Sequence, residues 1–214
     1  LKLPLILLVL LAALTAFFLT QPKIQQQKTG RTSTTAQTAQ KTDDLVRIAE
    51  SALEQNSFEE VVKILEPVSS SEDPAVQSLL GYAHAGLKNF DAAVESFEKA
   101  LEKKRDIRIG YALAYTLESM GAPERAASLY KDLTSAPLPK PLMLKVHHGL
   151  ARCSLVVNDP KTALDSYKYM IQEDPTKLEP YLGILKLMKA AGTSKGIDKL
   201  RERGDLLHSK NYSY

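Results

Sequence analysis

Between Gly81 and Leu101 the chain reads GYAHAGLKNFDAAVESFEKAL, two amphipathic helical patterns separated by a short polar break at Lys88-Asn89. Small residues at Gly81 and Ala93 let two helices approach closely, Phe90 and Phe97 fill the space between them, and Ala100 admits the next helix. A lone helix pair cannot bury its apolar faces, so it requires copies of itself stacked alongside. The copies are present. Aligning the small residue that opens the second helix brings Val61, Ala93, Ala126 and Ala163 into register at spacings of 32, 33 and 37 residues. The small residue of the first helix then falls on Ala49, Gly81, Ala114 and Ala151, and the large residue of the second on Leu65, Phe97, Tyr130 and Tyr167. The breaks LEQNSFEE, LKNFDA, MGAPERA and VNDPKTA place acid, Pro or Ser near each second-helix start, where unpaired amides and the helix dipole favour them.

This pattern resembles the tetratricopeptide repeat, a helix-turn-helix unit of about 34 residues. The resemblance implies an all-α superhelix with units at 42–73, 74–106, 107–140 and 144–177. A degenerate fifth repeat or pair of capping helices follows at 178–208, with Leu182, Leu185 and Met188 as its apolar residues, and a tail at 209–214. Pro175 occupies the family's terminal proline position. Val61 stands where Ala is usual and Arg105 where Pro is common, and Ser135–Pro141 is an insertion expected to loosen the superhelix.

The resemblance also implies where function lies. Such repeats cradle partner segments on the concave surface lined by first helices, here Val46, Glu50, Leu53, Ser78 and Tyr82 in units one and two. Units three and four supply Arg108, Tyr111 and Tyr115, then Lys145, His148 and Arg152. Tyrosines give apolar contact with a polar tip and Arg or Lys pairs with carboxylate, so Tyr82 through Arg152 is expected to suit an acidic or C-terminal peptide. Half-buried tyrosines are also ordinary groove lining. Cochaperones of this family grip a terminal carboxylate with Lys, Asn and Arg. The matching positions here are Val46, Glu50, Leu79, Arg108 and Ala112, of which only Arg108 fits, so that clamp is not expected.

Ahead of the repeats, residues 3–20 read LPLILLVLLAALTAFFLT without a charge. About 18–20 such residues at ~1.5 Å each match the ~30 Å hydrocarbon core of a bilayer, so residues 1–20 are read as a transmembrane anchor. The alternative is a cleaved signal peptide with Lys2 at its positive end, although its best small-residue site, Ala13-Leu14-Thr15, lies early. Residues 21–41, QPKIQQQKTGRTSTTAQTAQK, are too polar to bury a face and are read as a flexible linker. Basic residues after the span favour a cytoplasmic domain, whereas a short N-terminus carrying Lys2 suits an outward-facing anchor in a bacterial inner membrane. The adopted expectation is an extracytoplasmic repeat domain.

Of 28 basic and 25 acidic residues, five basic and no acidic ones lie in residues 1–41, which leaves 42–214 at −2. A near-neutral folded part argues against nucleic acid as a partner. No phosphate loop, GxSxG, HExxH or CxxC is present, so neither an enzyme, a cofactor nor a small-molecule substrate is expected. Adjacent His147 and His148 point about 100° apart on a helix and cannot share a metal; His147 is expected to pack and His148 to face the groove. The lone Cys153 is expected to be a small buried apolar residue. The functional expectation is a single-pass, membrane-tethered scaffold that docks partner protein segments. Its alternatives are a signal-cleaved secreted or periplasmic module and a constitutive subunit of a large membrane machine.

Overall fold

The computed structural model describes residues 40–193 and 198–203. Residues 40–54 are helical (α1), followed by α2 (Phe58–Leu65) and a 3-10 turn at Glu66–Val68. Then come α3 (Pro74–Gly86), α4 (Phe90–Lys103), α5 (Ile107–Ser119), α6 (Pro123–Leu133), α7 (Lys140–Val156), α8 (Pro160–Glu173) and α9 (Glu179–Ala190). Residues 198–203 are again helical, and no strand occurs among the described residues. The chain divides into two compact units, Leu1–Ile48 and Ala49–Tyr214. The first is described only at 40–48, where Arg47 pairs with Asp44 at 2.8 Å. The anchor expected at residues 1–20 and nearly all of the linker lie outside the described residues; no described helix is long and apolar enough to cross a membrane.

One turn is used five times. A left-handed residue closes each first helix: Asn56, Lys88, Gly121, Asn158 and Gly192, with φ of 56°, 62°, 85°, 59° and 66°. The next amide, of Ser57, Asn89, Ala122, Asp159 and Thr193, donates back to the carbonyl of Ala52, His84, Leu117, Ser154 and Met188 at 2.8–3.0 Å. This is the Schellman closure, which satisfies the orphan carbonyls of a helix end. The fifth occurrence shows that α9 ends as the first helices of the preceding four units do. First helices start with similar economy: Asp73 accepts from the Ala75 amide and Asp106 from the Arg108 amide, each at 2.8 Å.

Packing follows the same repeat. Phe97, Tyr130 and Tyr167 of the second helices each lie against a glycine of a first helix. Phe97 covers Gly81 in its own unit, whereas Tyr130 covers Gly149 and Tyr167 covers Gly183 in the next. A Cβ at Gly149 would sit 2.3 Å from Tyr130 Cζ, so only glycine allows that approach. Phe97 and Tyr130 are fully buried, in a core running from Ala93 to Cys153; Ala151, Ala163, Tyr167, Met170 and Ile184 form the next core. Each large side chain removed from water is worth about 1.5–3 kcal/mol, and the stacked units share the gain.

Two expectations need correction. The extra residues before unit four are not all loop: Lys140 and Pro141 form the first turn of α7, which proline tolerates, and lengthen that helix. Units three and four stay closely joined, Tyr130 seating on Gly149 directly across the joint. In α9 the buried residues are Pro180, Tyr181, Gly183 and Ile184, while Leu182 is 45% exposed. The apolar stripe is therefore rotated by about 100° from the Leu182 face.

Candidate functional site

Counting back from the five left-handed residues defines lines that run across the first helices. Six positions back lie Glu50, Tyr82, Tyr115, Arg152 and Lys186. Ten back, in units two to five, lie Ser78, Tyr111, His148 and Leu182. Thirteen back lie Ala75, Arg108, Lys145 and Glu179, and three back Leu53, Ala85, Glu118, Leu155 and Lys189. Clefts and contacts join Glu50, Leu53, Ser78, Tyr82 and Arg108, then Tyr111 and Tyr115, then Glu118, Lys145, His148, Arg152 and Glu179; the shared count from the turn aligns Leu155, Leu182, Lys186 and Lys189 with them.

At the early end, Glu50, Leu53, Glu54, Ser78, Tyr82 and Arg108 line a cleft of about 470 Å³. Tyr82 meets Phe97 edge-on at 5.1 Å, and burial, helped by the charge of Asp106, pushes its phenol above the ordinary value. The exposed Arg108 reaches Asp106 with Nη2 to Oδ2 at 3.3 Å. That hydrogen bond is the main reason the Asp106 carboxyl is held below its ordinary range. Glu50 and Glu54 are exposed and make no ion pair among the described residues.

In the middle, Tyr111 stacks on Tyr115 with centroids 6.4 Å apart and leans on Tyr130 at 6.1 Å. Tyr111 is half-buried, and its phenol is pushed up mainly by burial. Tyr115 remains 53% exposed, an aromatic ring presented to solvent on the same surface.

The later part is a hydrogen-bonded chain that crosses three units. Arg152 on α7 clasps Glu118 on α5 through two bonds, Nε to Oε1 at 2.7 Å and Nη2 to Oε2 at 2.9 Å. The Tyr130 hydroxyl donates to Glu118 Oε2 at 3.0 Å. Burial and this carboxylate both disfavour the Tyr130 phenolate, while Glu118 raises the Arg152 pKa further. Arg152 Nη1 also lies 2.6 Å from His148 Nδ1, and His148 Nε2 meets the Glu179 carboxylate. A guanidinium can only donate and a carboxylate can only accept, so the His148 imidazole bridges a donor and an acceptor. Beside this chain, exposed Lys145 shares a 300 Å³ cleft with Leu144, His148, Met170, Leu178 and Glu179.

The seven singled-out residues therefore fall into three groups. Tyr111 and Tyr115 touch, as do His148 and Arg152; Tyr82 shares the early cleft with Arg108; Lys145 stands with His148. The Arg152 charge is taken up by Glu118, and His148 is bound to Glu179, which changes the expected basic strip into a compensated one. Reading single helices misses Glu118 and Glu179. Reading across them does not, since Glu118 lies three before its turn and faces the residue six before the next. Leu155 and Leu182, 41% and 45% exposed, were likewise missed as parts of this surface.

Outside the groove, His147 stacks on Tyr169 at 4.0 Å, and burial lowers its pKa. Cys153 is 1% exposed, and burial pushes its thiol up to about 11, so it is no nucleophile at neutral pH. Among the described residues no three His, Cys, Asp or Glu side chains gather as a metal site would require.

Comparisons with known proteins agree on the architecture. The family model of the tetratricopeptide repeat matches residues 75–106. The structure of MamA 41-end from Desulfovibrio magneticus RS-1 superposes with a TM-score of 0.70 at 16% identity, over 81% of this chain and 98% of that one. MamA AMB-1 gives 0.68 at 18% identity, over 78% and 98%. A third MamA crystal structure gives 0.71 at 13%, over 82% and 97%. At these identities the likeness is one of fold alone. No curated protein matches the sequence. Residues 75–106 thus match a tetratricopeptide repeat, and the recurring turns and stacked helix pairs carry the same helix-turn-helix architecture through the described repeats on either side of it.

Proposed function

We propose that the protein is a membrane-tethered adaptor whose groove docks segments of partner proteins and thereby assembles or stabilises a membrane-associated complex. The observation that carries this reading is the exposure of Tyr115, Leu155 and Leu182 on the groove surface of three successive units. Large apolar side chains collected on one concave surface favour burial by a partner. Tethering rests on the uncharged stretch 3–20, and the polar segment 21–41 would hold the repeats ~25 Å from the bilayer, on an extracytoplasmic face.

The test is mild-detergent affinity purification of the full chain from its own membranes, alongside a Tyr115→Ser/Leu155→Ser variant. These side chains are exposed and leave the Arg152–Glu118 clasp intact, so helical content should not change. The expected result is a stoichiometric protein partner recovered with the wild type and lost with the variant, on a bait that keeps residues 1–20. A partner retained by the variant would refute groove docking, and a bait beginning beyond residue 16 would replace the anchored adaptor with a signal-cleaved module.

A further inference from the structure

We infer that the groove is bipolar, and that its partner is a protein segment with a cationic block at one end, an acidic block at the other and apolar residues between. The inference rests on the docking reading above and specifies its ligand. Its basis is the distribution of charge along the lines of groove residues.

At the early end, Glu50, Glu54 and Asp106 face only Arg108 in the shared cleft, which leaves two negative charges. At the late end, Lys145, Arg152, Lys177, Lys186 and Lys189 stand against Glu118, Asp174 and Glu179, which leaves two positive charges. The excess charges are the available ones. Glu50 and Glu54 at one end, and Lys145, Lys186 and Lys189 at the other, are exposed and form no ion pair among the described residues. Between the two ends the exposed surface is Tyr115 and Leu155, with Leu182 beside the lysines.

The line six residues before each turn states the gradient by itself: Glu50, Tyr82, Tyr115, Arg152, Lys186. A uniformly acidic segment would meet Glu50 and Glu54 at the early end, and a uniformly basic one would meet the lysines at the late end. Like charges placed opposite each other are what such a surface rejects. A segment of segregated charge satisfies both ends and enters in one direction only. First helices packed ~8–10 Å apart make the path ~32–40 Å long, the length of about 25 helical residues.

Two synthetic peptides of about 25 residues and identical composition test this, one with lysines at one end, leucine and alanine in the middle and glutamates at the other, one with the charges alternating. Binding to the full chain in detergent is measured by calorimetry, with wild type, Tyr115→Ser/Leu155→Ser and Lys186→Glu/Lys189→Glu proteins. The segregated peptide is expected to bind at least about tenfold more tightly than its isomer, with the preference lost near 0.5 M salt. The preference should also disappear in the lysine variant, whose substitutions lie at exposed positions.

Equal affinity for the two peptides, both weakened by the Tyr115→Ser/Leu155→Ser change, would overturn bipolarity while leaving groove docking standing. Binding that ignores the tyrosine and leucine would place the site elsewhere and overturn both. Self-association of the full chain that the lysine variant abolishes would make a second copy the occupant and overturn the proposed partner.

Discussion

The early and late parts of the groove are made from the same repeat and differ in how neighbouring units are tied. From α5 to α9 a chain of polar contacts, Glu118 to Arg152 to His148 to Glu179, joins three successive first helices. In the early cleft the one ion pair, Arg108 with Asp106, lies within the start of one helix, and the polar contact that joins units two and three, Arg125 with Glu98, is made between second helices and not between groove residues. Charges used to fix one unit against the next are no longer free for a partner. The late groove thus offers preorganisation with its lysines as available charge, and the early groove offers unpaired carboxylates on a surface with fewer constraints.

The largest effect should come from the joint between units three and four. Gly149→Ala pushes a methyl group to 2.3 Å from the buried Tyr130 ring and is expected to cost about 2–3 kcal/mol, read as a lowered midpoint in urea. Next is the polar chain. Glu118→Ala leaves Arg152 and the Tyr130 hydroxyl without their acceptor; with the Arg152 side chain 40% exposed, screening limits the loss to about 1–2 kcal/mol. Glu50→Ala, its counterpart in the early groove, should stay within about 0.5 kcal/mol. Equal losses at Glu118 and Glu50 would erase the distinction between the two parts.

A smaller change sharpens it from the early side. Lys88 closes α3 in the left-handed region, where glycine has no Cβ penalty, so Lys88→Gly should raise stability by about 0.5–1 kcal/mol. Gly121→Ala at the equivalent turn should lower it by a similar amount. An effect confined to alkaline pH belongs to Cys153. Its folded pKa is raised, so its contribution is complete below the ordinary thiol value of 9.0 and is lost as pH climbs through about 11. A fall in denaturation midpoint across that window, smaller in Cys153→Ala and sustained there by the raised phenols of Tyr82, Tyr111 and Tyr130, is the expected reading.

How much of this was legible in the sequence depends on the range of the interaction. The repeat register was, because small residues at Ala49, Gly81, Ala114 and Ala151 and large ones at Leu65, Phe97, Tyr130 and Tyr167 are local requirements of close helix packing. Turns with Asn56, Gly121 and Asn158 announce themselves; Lys88 does not, since its conformation is imposed by the helices on either side. The rotation of α9 escaped notice because Tyr181, Leu182, Ile184 and Leu185 can build more than one apolar face, and the choice is made by Tyr167 seating on Gly183. The positions of Tyr82, Tyr111, Tyr115 and Arg152 followed from the register. The pairing of Arg152 with Glu118 did not, because it joins residues 34 apart whose meeting depends on how α5 and α7 align.

The central claim is that partners enter the groove rather than lean on the outer helices. The direct measurement places a photo-crosslinking amino acid at Tyr115, exposed in the groove, or at Arg125, exposed on α6 where it pairs with Glu98 at 2.8 Å. Illuminated in cells that produce the full chain, the Tyr115 position is predicted to give one discrete protein adduct that the Arg125 position does not. The same adduct from both positions, or an adduct from Arg125 alone, would contradict the account.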